Sequence, residues 1–156
     1  MDQIFKDYLD LFAQLHANCK DLISGLPKRS LDWRPGEDMN SMCVLVTHLT
    51  GAERYWIGDV AMGEPSGRNR DDEFLAKEMS AEELIKKLDD SLAYIQAAFE
   101  RLMVDDLSKT RVSPRDGREF SIGWAISHAL EHTALHVGHI QITRQLLEER
   151  GDRRTL

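Results

Sequence analysis

Apolar residues Ile4, Leu9, Leu11, Phe12, Leu15, Leu22 and Ile23 recur at mainly helical spacing between acidic and basic neighbours, which predicts an amphipathic helix over residues 2–24. Gly25 and Pro27 end it, the first as a C-terminal cap and the second because it lacks an amide donor. After the polar stretch SLDWRPGEDMN, a second helix is predicted from Ser41 to Met62, capped by Asn40 or Ser41 and broken by Gly63, Pro65 and Gly67. The segment GEPSGRNRDDEFLAKEM is too polar and irregular for core and reads as a long crossover. Ser80 and Glu83 form a capping box for a third helix, whose stripe of Leu84, Leu88, Leu92, Ile95 and Phe99 runs toward Val104. A second irregular stretch, DDLSKTRVSPRDGREF, leaves room for a small hairpin over residues 108–120. Ser121 then opens the longest helix, expected to stop at Gly151.

Four helices with almost no strand signal predict an all-α fold, a four-helix bundle with long crossover connections. No internal repeat and no domain-separating linker interrupts the chain, so residues 1–156 read as one domain.

Composition narrows the function. The 27 Asp and Glu against 20 Lys and Arg give a formal charge of −7, which leaves no broad basic surface for nucleic acid. No apolar run reaches bilayer-spanning length, and the start MDQIFKDYLD lacks the pattern of a signal peptide, so a cytoplasmic protein without a membrane partner is expected. Cys19 and Cys43 have no CxxC spacing and read as reduced thiols.

The chemistry lies in the histidines. Four of the six fall in HALEHTALHVGH, as His128, His132, His136 and His139. At about 100° per residue they share a sector of under about a quarter of the helix. His132 and His136 are i and i+4, about 6 Å apart along the axis, so both imidazoles can converge on one cation; His128 and His132 have the same spacing. A third ligand must come from another helix. His48 is the only histidine of the second helix, on a face with Val44, Ala52 and Tyr55, and is the natural choice. Three imidazoles leave coordination positions free for water or substrate, and suit zinc, nickel or ferrous iron. His16, alone on the first helix, has no evident role. The alternative is a solvated histidine stripe on an exposed face.

Other site patterns fail. No glutamate stands three residues before a histidine, as a di-iron bundle requires, and Thr133 follows His132 where a zincin needs glutamate. There is no Walker loop, dinucleotide glycine pattern or nucleophile elbow.

The lead-in SLDWRPGEDMNS, the segment HLTGAERYW and the final HALEHTALHVGHIQITRQLL together resemble the DinB-like family of damage-inducible, metal-binding four-helix proteins, over nearly the whole chain. That family is similar in turn to mycothiol-dependent maleylpyruvate isomerases and bacillithiol S-transferases. The resemblance places the three metal ligands on His48, His132 and His136. It departs at the end of the motif, where the family's usual His-Arg-Gly-Gln is replaced by His136-Val137-Gly138-His139. The implied activity is a metal-dependent thiol S-transferase, acting on a small-molecule thiol and an electrophile, with a homodimer as the implied assembly. Tyr55, His128 and His139 are candidates to support the ligands or orient bound water, and no residue is assigned as catalytic. The rival readings are a non-catalytic stress-response module in which the ion only pins two helices, and a metal-free bundle acting through a dimer surface.

Overall fold

The computed structural model describes residues 1–153. Helix α1 spans Gln3–Ile23, and its buried stripe is Phe5, Phe12, His16, Cys19 and Ile23. Ile4 and Leu11, assigned to that stripe from sequence, face solvent. Gly25 takes a left-handed φ of 70° and turns the chain away. A short helix, α2 (Lys28–Leu31), interrupts the connection that follows.

Helix α3 spans Met42–Glu53 and is capped by Ser41, whose Oγ accepts from the Val44 amide at 3.2 Å. The expectation of a single regular helix to Met62 is corrected here: Arg54–Met62 forms a π-helical segment. Its wider turn suits an i to i+5 pair, and Arg54 Nη1 donates to Asp59 Oδ1 at 2.9 Å. Gly58 makes this possible, because a Cβ there would lie 1.6 Å from Arg54 Nη1. Gly63, with φ 67°, closes the segment.

The crossover contains one helical turn, α4 (Arg70–Glu73). Helix α5 (Ala81–Phe99) starts at the expected capping box, with the Ser80 amide donating to Glu83 Oε2 at 2.7 Å and the Glu83 amide to Ser80 Oγ at 3.2 Å. It ends five residues before Val104, which instead begins a 3-10 turn, Val104–Ser108. The hairpin is present as β1 (Thr110–Val112) and β2 (Glu119–Ser121), antiparallel with Thr110 opposite Ser121. Helix α6 (Ile122–Arg153) is capped by Ser121 Oγ, which accepts from the Trp124 amide. It does not stop at Gly151, which stays out of the left-handed region that a helix-ending glycine adopts.

The four long elements make a four-helix bundle in which α1 packs on α5 and α6, and α3 packs on the same two. Helices α1 and α3 are therefore diagonal, as are α5 and α6. Consecutive long helices across a diagonal need long connections, which explains the extended links between α1 and α3 and between α5 and α6. No helix among the described residues is long and apolar enough to cross a membrane.

The core has two apolar clusters. One gathers Phe5, Phe12, Trp56, Phe99, Ile122 and Ile126, and the other Ile23, Met42, Leu49, Leu84, Leu88 and Ile140. A polar layer drawn from all four long helices bridges the interior. Buried Glu53 of α3 pairs with His16 Nε2 of α1 at 2.8 Å and accepts from Thr133 Oγ1 of α6 at 2.7 Å and from Ser91 Oγ of α5. The other His16 nitrogen contacts the Leu88 carbonyl at 3.1 Å. Two acceptors face one ring, so the pair holds a proton on each ring nitrogen or one on the carboxyl group. His16, which had no role in the sequence reading, is thus a fully buried structural partner.

Candidate metal centre

His48 sits on α3, five residues before Glu53, while His132 and His136 sit about one turn apart on α6, so the α3–α6 contact brings the three rings together. His48 Nε2 lies 3.2 Å from His132 Nε2, and His136 Nε2 lies 3.2 Å from the same atom. One nitrogen from each ring lies within 4.8 Å of the other two, and the group has these three members among the described residues. Two Zn–N bonds at a tetrahedral angle would set their nitrogens about 3.3 Å apart.

Hydrogen-bond accounting favours a cation at this point. His48 Nδ1 lies 2.8 Å from Glu73 Oε2; a carboxylate only accepts, so the His48 proton is on Nδ1 and its Nε2 presents a lone pair. His132 Nε2 is shared between two neighbouring rings and carries at most one hydrogen. If it carries that hydrogen, its Nδ1 is bare, and that atom is buried without a partner among the described residues. The rings do not resolve this by protonation. Burial, then the proximity of His136 and His48, pushes His132 down to about 3, and burial with His48 and His139 pushes His136 down to about 4. Three imidazoles with nitrogens aimed at one point form a donor set that could hold a divalent ion.

Glu73 is the partner that the sequence did not reveal. It lies in the crossover expected to stay outside the core, yet it is buried. Arg68 clamps both its oxygens, with Nε at 2.5 Å and Nη2 at 2.7 Å. Burial opposes its ionisation, but the hydrogen bonds from Arg68 and His48 prevail and hold its pKa below the usual range. Gly51 leaves the space it occupies, since a Cβ there would meet Glu73 Oε1 at 2.1 Å. Phe74, the next residue, packs its ring 4.9 Å from that of His48. The carboxylate thus fixes the ring tautomer and leaves Nε2 facing the other two rings.

The remaining candidates have distinct neighbours. His139 Nδ1 lies 3.4 Å from His136 Nδ1, on the side of that ring away from the shared point. His128 stacks on Trp124, with centroids 4.7 Å apart, and its Nδ1 lies 3.5 Å from Glu131. Tyr55 is buried and its hydroxyl pairs with Ser113 Oγ at 2.7 Å, which anchors the hairpin. Both cysteines are buried and free, and burial pushes Cys19 up to about 12 and Cys43 up to about 11. Neither supplies a thiolate at neutral pH.

Residues 8–149 match the family model described as mycothiol-S-transferase. No curated protein matches the sequence. The fold is similar to that of a DinB-like protein from Bacillus subtilis, at 19% identity and a TM-score of 0.68, covering 93% of this chain and 92% of that one. It is also similar to YfiT from Bacillus subtilis, described as a probable metal-dependent hydrolase with an unusual four-helix bundle topology, at 13% identity and a TM-score of 0.72, covering 97% and 90%. A mycothiol-dependent maleylpyruvate isomerase aligns at 15% identity with a TM-score of 0.62, covering 85% of this chain and 59% of that one.

Proposed function

The chain belongs to the mycothiol-S-transferase family, within the DinB-like group, and from that premise we propose that it is a metal-dependent thiol S-transferase. His48, His132 and His136 hold the divalent ion, with zinc, nickel and ferrous iron as the candidates. The nucleophile is a low-molecular-weight thiol of the mycothiol class, and the second substrate is a small electrophile. Once bound, such an ion lowers the pKa of a thiol and makes it nucleophilic at neutral pH.

The chain's own groups prepare the site. Glu73 holds the proton of His48 on Nδ1, leaving Nε2 free as a ligand. His139 faces the Nδ1 of His136 and takes the corresponding position there. The high pKa values of Cys19 and Cys43 remove internal thiols as competitors, so the sulfur nucleophile comes from a small molecule.

The observation that carries the reading is that only three protein ligands converge, with no fourth His, Cys, Asp or Glu in the group among the described residues. A structural site is closed by four protein ligands, whereas a reactive one keeps a position open. Titration with zinc and nickel, repeated on His132→Ala, tests the centre: saturable binding is expected for the wild type and its loss in the variant. A screen of thiols against electrophiles with the loaded protein tests the transfer. Undiminished metal binding in His132→Ala removes the assignment.

A further inference from the structure

The two irregular connections meet on one side of the bundle and enclose a cavity of about 280 Å³ next to the π-helical segment. Its walls are Tyr55, Pro65, Arg68, Arg70, Pro114 and Arg115. Three guanidinium groups around one recess stand out in a chain whose formal charge is −7.

The charges of this recess are not all neutralised. Arg68 is committed to Glu73 through both its bonds, with its guanidinium carbon 5.6 Å from the centre of the Tyr55 ring. Asp59, which also borders the cavity, is buried and engaged by Arg54 Nη1, the Ser66 amide and Ser66 Oγ. Arg70 makes no ion pair among the described residues and rests on the Phe74 ring at 4.8 Å. Arg115 has a long contact, 3.6 Å, to Asp116, whose carboxylate is held closer by Arg118 at 2.8 Å, and its guanidinium carbon lies 5.7 Å from the centre of the Tyr55 ring. Two guanidinium forks therefore remain for a ligand, above walls made by an aromatic ring and two prolines.

We propose that this cavity binds the carboxylate of a small organic acid, with Arg70 and Arg115 engaging the anion and Tyr55, Pro65 and Pro114 receiving its apolar body. Planar guanidinium matches carboxylate oxygens in pairs, and a recess of this size admits a small acid rather than a large cofactor. The binding site stands on this geometry alone, whereas its use as a substrate pocket rests on the reaction proposed above. Two side chains connect it to the metal centre: Arg68 spans from Tyr55 to Glu73, which holds His48, and Arg70 lies on Phe74, which packs against His48.

Isothermal titration of the full chain with benzoate, its neutral isostere benzamide and inorganic phosphate tests this, on metal-stripped and on zinc-loaded protein. The stripped arm excludes binding of the carboxylate to the ion itself. Benzoate is expected to bind both forms saturably, with benzamide and phosphate weaker by about tenfold or more. Arg70→Ala and Arg115→Ala should each weaken benzoate by about tenfold, and Arg115→Lys by less, while the zinc affinity of the two Arg115 variants stays that of the wild type. Absence of benzoate binding to the stripped chain overturns the proposal, as does equal affinity for benzamide or phosphate, or indifference to both alanine variants. Such a failure with zinc binding intact leaves the metal centre standing, whereas loss of zinc binding in the wild type would count against the centre alone.

Discussion

Thr133 of α6 donates to Glu53 of α3 at 2.7 Å, one residue beyond His132 and five beyond His48. The hydrogen bond ties the two histidine-bearing helices together immediately beside the point at which their imidazoles meet. The same carboxylate also receives His16 and Ser91, so the register of all four helices is fixed by one acidic residue.

Removing the carboxylate leaves a buried ring without its partner. Glu53→Leu is expected to destabilise the chain by about 3–5 kcal/mol, and Thr133→Val by about 1 kcal/mol, as measured by urea unfolding. The double change Glu53→Leu with His16→Leu should recover part of the loss, because the unpaired group is removed. A single Glu53→Leu as stable as the wild type would deny the layer its role.

Glu73→Gln keeps the shape of the side chain but no longer offers His48 a charged acceptor. Metal affinity, read by competition with a chelator, is expected to fall by about 10- to 100-fold while helical content is unchanged. Equal affinity would mean that the carboxylate does not act on His48.

Gly51→Ala should raise helix propensity by about 1 kcal/mol and yet impair the metal centre. The new methyl group meets the tip of a flexible side chain, Glu73 Oε1, and displaces it without disturbing the backbone. Its effect on metal affinity should approach that of Glu73→Gln, and the two changes combined should be little worse than either alone.

Acid should weaken the metal-free fold in a defined window. His132 and His136 take up protons at about 3 and about 4 when folded, against 6.5 in the unfolded chain. The unfolded state therefore binds more protons between these values, and stability falls as pH drops from about 6.5 toward 4. Glu73, lowered in the folded state, contributes in the same direction below 4.5. Urea midpoints near neutrality and near about pH 5 should show the drop, with a flatter profile in His132→Gln.

How far the sequence reaches is visible in particular residues. Local signals were legible: Ser80 and Glu83 mark the start of α5, and Gly25 and Gly63 mark where helices end. That His48 would meet a histidine pair of the last helix could be anticipated because each lies on a regular helix, where spacing determines the face, but spacing suited His128 with His132 equally and the family resemblance singled out His132 and His136. Glu73 could not, because it reaches His48 from a four-residue helix inside a polar crossover, where no periodicity indicates which way a side chain turns. His16 and Glu53 pair across 37 residues on different helices, and a lone charged residue on either looks like ordinary surface until the bundle is assembled. The π-helical segment was hidden because the fit of Arg54 over Gly58 is a matter of space, not of hydrophobic period.

His48 and His132 are 84 residues apart in the chain. An ion gripping both acts as a reversible cross-link over that loop, and every unfolding event must release it. Thermal tolerance should therefore track the free concentration of the ion, and withdrawing it would loosen the protein before any side chain is altered.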